Sequence, residues 1–116
     1  MKNEMEELRL AIRKFAEDRE WDQFHSPKNL ASALTVEAGE LLEQFQWLTE
    51  EQSKTLSGEQ KAKVKDEIAD VLIYLVRLAD KLDVDLIAVA RDKIVLNARK
   101  YPVEKSRGSN KKYTDF

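Results

Sequence analysis

Two short motifs carry the residues best suited to chemistry. Glu37-Ala38-Gly39-Glu40 and Glu67-Ile68-Ala69-Asp70 each set two carboxylates three positions apart. On a helix, positions i and i+3 share one face, so each motif places two like charges side by side. Glu37 lies one turn from Leu34 and Leu41, and Glu67 one turn from Val64 and Val71. The acids therefore border apolar stripes, where a carboxylate is costly unless paired or bound to a cation. Two such pairs on consecutive helices can converge on one cation inside a bundle. The plainer alternative is four ordinary surface acids or salt-bridge partners. Glu43 and Asp66 are neighbouring acids expected to face solvent.

The composition restricts the cation. There is no cysteine and one histidine, His25. That leaves zinc without its preferred nitrogen and sulfur donors, and the Glu-x-x-His pairs of carboxylate di-iron bundles are absent. A hard cation held by oxygen remains, Mg²⁺ or its substitute Mn²⁺. Mg²⁺ commonly shares its coordination sphere with substrate phosphates, which directs attention to phosphate chemistry.

Helices must position these acids. Apolar residues are 42% and charged residues 36% of the 116, with three glycines and two prolines. Sustained period-2 alternation is missing, so an all-α, four-helix bundle-type domain over 1–116 is expected, with a short tail from about 101 to 116. A first helix starts after Asn3, with Glu6 completing a capping box and Met5, Leu8, Ile12 and Phe15 as its apolar side. Asp18 to His25 is a break. Ser26-Pro27 opens a second helix, running to about Leu48, with Leu34, Ala38, Leu41, Phe45 and Leu48 facing the core. Thr49 to Gly58 reads as loop, closed by a Ser57/Gln60 capping box. The third helix spans about Glu59 to Leu82, with Val64, Ile68, Val71, Leu75, Leu78 and Leu82 as its stripe. Asp85 caps a fourth, with Val84 and Val89 as a hydrophobic staple, ending near Lys100 because Tyr101-Pro102 follows. Residues Val103 to Phe116 show no strong pattern. The two long central helices are expected to be antiparallel neighbours.

Net charge is −2. Residues 99–116 carry +4 and the remainder −6, an acidic body with a basic tail. This suits a metal centre with an anionic ligand, or simply a solvated tail. No apolar run approaches the ~20 residues of a membrane helix, and MKNEMEEL lacks an apolar signal core. A cytoplasmic protein with no membrane or nucleic-acid partner is expected.

At the paired acids the sequence resembles the MazG-like family of nucleoside triphosphate pyrophosphohydrolases, whose signature is ExxE, a spacer, then ExxD. Here 26 residues separate Glu40 from Glu67. The segments Arg19 to Trp47, Asp66 to Leu86 and Asn97 to Phe116 resemble the family's dCTP pyrophosphatase branch, so the likeness covers nearly the whole chain. It implies an all-α homodimer or homotetramer that hydrolyses a dNTP to dNMP and pyrophosphate, using Mg²⁺ held by Glu37, Glu40, Glu67 and Asp70. It implies that Trp21 and Trp47 line the base pocket, and that Tyr74, Lys93, Asn97 and Tyr101 lie near sugar and phosphates. Lys112 and Tyr113 match a tail motif that reaches phosphates. Ile12 stands where animal members have a histidine near the base, which leaves base preference open.

Each residue also has a plainer reading. Trp21 could plug a bundle end, and Trp47 and Tyr74 could be core. Gly39 could permit close helix approach or closeness to a ligand. His25 is expected to cap or hydrogen-bond locally. Two rival classes remain, a non-catalytic nucleotide-binding or sensing module and a helical interaction protein.

Overall fold

A computed structural model describes residues 3–116. It is helical, with no strand among those residues. The α-helices are α1 (Glu4–Asp18), α2 (Pro27–Glu43), α3 (Glu50–Ser53), α4 (Gly58–Lys81), α5 (Leu86–Lys100) and α6 (Val103–Ser106). Two 3₁₀ turns cover Asp22–Phe24 and Tyr113–Asp115. The chain divides into two compact units between Asp83 and Val84.

In the first unit α4 is the central element, packed against both α2 and α1. Polar side chains set the helix starts. The Asn3 side chain accepts from the Glu6 N–H, and the Ser26 hydroxyl accepts from the Asn29 N–H with Pro27 in the first turn. Ser57 and Gln60 form the reciprocal capping box at α4. Each satisfies N–H groups that the helix leaves unpaired. The box expected at α1 is only half made, because the Glu6 carboxylate is taken by Arg9.

Three expectations need correcting here. α2 stops at Glu43, short of Leu48. The N–H groups of Gln44 and Phe45 turn back to Leu41 and Leu42, the tightened geometry of a helix end. The expected loop contains α3, nucleated by a second reciprocal box between Thr49 and Gln52. Finally, the stripe expected on α4 is only partly interior. Of that stripe Val64 is buried and Val71 and Leu78 are half-buried, whereas Ile68, Leu75 and Leu82 are exposed; the buried Val76 and Ala79 lie off it. α4 is apolar on more than one face, so α1 and α2 together cannot cover it.

Helix α4 ends at Lys81 with Leu82 as its C-terminal cap, and Asp83 follows with φ of 54°. That is the left-handed position that usually terminates a helix and usually holds glycine.

In the second unit the Asp85 side chain accepts from the Ala88 N–H and starts α5. The tail is ordered by aromatic contacts. Tyr101 meets Tyr113 and Phe116 edge-on, both with ring centroids 5.8 Å apart. Lys100 Nζ lies 5.0 Å from the Tyr113 ring, a cation–π contact.

Candidate functional site

The acids meet where α2 packs on α4. One carboxylate oxygen each from Glu37, Glu67 and Asp70 lie within 4.8 Å of one another. Glu40 is outside that trio but beside it, since its carboxylate acts on both Glu37 and Glu67. Glu37, Glu67 and Asp70 are half-buried. Glu37 Oε2 and Glu67 Oε2 are fully buried and have no hydrogen-bond partner.

This concentration of negative charge perturbs proton binding. Burial is the leading cause for Glu37, followed by a carboxyl–carboxyl contact and repulsion from Glu40, then by Asp70 and Glu67; its pKa is pushed up to about 7. Burial followed by the Glu40 and Asp70 charges likewise raises Glu67. Both shifts follow from desolvating the charged form among like charges. Two buried oxygens without donors, in an all-carboxylate set, are what a hard divalent cation would satisfy. The residues present therefore fit such an ion.

Gly39 lies between the two acids of α2. A Cβ there would meet nothing within 4 Å, so the close helix approach allowed for in the sequence does not occur among the described residues.

The expected aromatic residues are available rather than sequestered. Trp47, in the turns after α2, is 87% exposed, and Trp21 is 44% exposed; neither is a core side chain. Trp21 precedes the 3₁₀ turn Asp22–Phe24 and stands edge-on to Phe15 at 5.7 Å and to His25 at 6.4 Å. Tyr74 is half-buried one turn beyond Asp70 on α4. His25 Nδ1 accepts from Arg77 Nε at 3.2 Å. Burial, then the Arg77 and Lys81 charges, lowers its pKa against the opposing effect of Asp22.

Lys93, Asn97, Tyr101 and Lys112 belong to the second unit. Lys93, Asn97 and Lys112 are exposed, and Tyr101 is half-buried in its aromatic cluster.

Sequence reading missed one polar feature. Arg77 is buried at 3% exposure and is bonded to Asp22, Asp80 and His25. The available signal was an arginine inside the apolar run Val71 to Ala79.

The chain is similar to known proteins over most of its length. The MazG-like family matches residues 32–116. The chain is 45% identical to dCTP pyrophosphatase 1 of Bos taurus over 114 residues, covering 97% of this chain and 68% of that one. It is 42% identical to dCTP pyrophosphatase 1 of Homo sapiens, covering 97% and 67%. A pyrophosphatase crystal structure from Archaeoglobus fulgidus DSM 4304 superposes with a TM-score of 0.75 at 40% identity, covering 88% of this chain and 95% of that chain.

Proposed function

The chain belongs to the MazG-like family, and from that membership we propose its reaction in detail: Mg²⁺-dependent hydrolysis of a deoxynucleoside triphosphate, dCTP or a related or modified dNTP, to the monophosphate and pyrophosphate. It is a nucleoside triphosphate pyrophosphohydrolase of the house-cleaning kind, akin to the relatives named dCTP pyrophosphatase 1. The observation that carries the reading is the convergence of Glu37, Glu67 and Asp70 around two buried, unpartnered carboxylate oxygens.

Glu37, Glu40, Glu67 and Asp70 would hold the metal. When bound, Mg²⁺ supplies neutralisation of triphosphate charge and acidification of a water. Glu37 or Glu40 takes a proton from the attacking water, whose oxygen bonds to the α-phosphorus. The bond from that phosphorus to the bridging oxygen breaks, and pyrophosphate leaves. Trp21 and Trp47 stack on the base, which aromatic faces do at about 1–3 kcal/mol per base in single-strand binders. Their exposure supports that role. Tyr74 is assigned to the sugar and phosphates by the sequence match, and its place one turn past Asp70 on α4 supports that. For Lys93, Asn97, Tyr101 and Lys112 the assignment to sugar and phosphate rests on the sequence match alone.

We read residues 1–116 as one functional domain, since the family match crosses the Asp83/Val84 boundary. A homodimer or homotetramer is favoured by the apolar surface of α4, where Ile68, Leu72, Ile73 and Leu75 are exposed. No helix among the described residues is long and apolar enough to cross a membrane, in keeping with a cytoplasmic protein.

The test is a panel of nucleoside triphosphates with Mg²⁺ or Mn²⁺, scored for monophosphate and pyrophosphate. Release of orthophosphate instead would refute attack at the α-phosphorus, and equal rates for every base would refute the aromatic base pocket. Asp70→Asn should lower kcat/KM by more than the about 10–100-fold that outer partners of a metal site typically contribute. Binding without turnover would favour a sensing module.

A further inference from the structure

We propose that Arg77 is a positioning residue for base recognition, fixing against α4 the short segment that carries Trp21 and His25. This rests on the reading of Trp21 as a base-stacking side chain.

The 3₁₀ turn Asp22–Phe24 has no buried residue, and Phe24 is 60% exposed. Apolar packing therefore contributes little to fixing this turn, although Trp21 just before it is tied to α1 by its ring against Phe15 and its N–H on the Ala16 carbonyl. Its long-range ties are polar and converge on one turn of α4. Arg77 Nη2 donates to Asp22 Oδ1 at 2.7 Å, and Arg77 Nε donates to His25 Nδ1 at 3.2 Å. Lys81, one turn later, also bonds Asp22.

The guanidinium is itself held from behind. Its Nη1 donates to Asp80 Oδ2 at 3.2 Å. The Asp80 side chain is 5% exposed and is gripped by Arg9 Nη1 at 2.6 Å and Arg13 Nη2 at 2.6 Å, both from α1. Arg77 thus joins α1 to the Trp21 segment through α4. A buried ion cluster contributes little net stability compared with apolar packing of the same volume. What it supplies is direction, because a guanidinium offers planar donors in a fixed fork.

The His25 contact has a chemical consequence. A guanidinium only donates, so His25 Nδ1 must be bare and the ring proton must reside on Nε2. Arg77 therefore sets the tautomer of the imidazole on which the Trp21 ring rests edge-on.

The experiment compares Arg77→Met, Arg77→Lys, Asp22→Ala and Trp21→Ala with wild type, using the preferred dNTP. Nitrogen NMR of wild type should show neutral His25 with its proton on Nε2; a proton on Nδ1 would overturn the proposal without any variant. Arg77→Met should raise KM about tenfold with kcat changed less than about threefold, and mix the His25 tautomers; these are the expected effects of loosening rather than removing a contact. Arg77→Lys, lacking the fork, should restore little. Asp22→Ala alters an exposed residue, so it reports on the tie even if Arg77→Met does not fold, and it too should raise KM. Trp21→Ala separates the premises. If it leaves KM unchanged, the base-stacking reading fails. If it raises KM while Arg77→Met and Asp22→Ala do not, the positioning proposal alone fails.

Discussion

The carboxylate centre makes a quantitative prediction about protons. A cation needs the Glu37 carboxylate ionised. With a pKa of about 7, that group is ionised in about 3% of molecules near pH 5.5 and about 75% near pH 7.5, so metal affinity should rise about 25-fold across that window. At the ordinary value of 4.5 the same change would be only about 1.1-fold. Glu67, raised in the same direction, steepens the dependence. Isothermal titration of Mn²⁺ or Mg²⁺ in two buffers of different ionisation enthalpy measures the released proton directly. Near pH 6 the expectation is about 0.9 proton per ion from Glu37 alone, and Glu37→Gln should remove that proton. The same shift has a stability sign. A raised carboxyl favours the fold fully below its unfolded value, and that contribution is lost as pH rises through about 7. The metal-free protein should lose stability across that interval, and the cation should restore it. Affinity flat from about pH 5.5 to 7.5 with no proton release would refute the electrostatic account of the site.

Other perturbations test the frame around it. Asp83→Gly should raise the melting temperature, with a gain of about 1 kcal/mol, because glycine adopts the left-handed conformation at φ of 54° without a Cβ clash. Leu30, 1% exposed, is among the few fully buried side chains. Leu30→Ala should cost about 2–5 kcal/mol in chemical denaturation. Asp80 titrates oppositely to Glu37. Arg13 and Arg9 hold its pKa down at about 2, so its contribution is present above the ordinary aspartate value of 3.8 and lost as pH falls through about 2. Acid unfolding followed by circular dichroism should show that loss, and Asp80→Asn should abolish this part of it.

The helices that position the site were legible because they announce themselves locally. Ser26-Pro27, Ser57/Gln60 and Asp85 are caps whose partners lie three residues away, and the structure uses each of them. The carboxylates were legible because Glu37 and Glu67 recur beside apolar positions. Features decided by distant partners were not. Nothing near Arg77 in sequence tells that Asp22 and His25 will receive it. Tyr101 finds Tyr113 and Phe116 across the tail, a cluster without helical or strand period. The end of α2 at Glu43 was hidden for another reason. No glycine or proline marks it, and the apolar residues Phe45 and Leu48 continue the helical spacing beyond it. α3 was missed because its Thr49/Gln52 box precedes a polar stretch with no apolar stripe.

The two reciprocal boxes of the first unit have a consequence for how the carboxylate-bearing helices meet. Thr49/Gln52 and Ser57/Gln60 are spaced eight residues apart and close the backbone between α2 and α4 on itself. Such bonds join residues only three positions apart. The connection is therefore held by its own side chains, independently of ligand. On the proposed site, a cation held by Glu37 and Glu67 would find the intervening chain already ordered, so little of its binding free energy would be spent on restraining a loose linker.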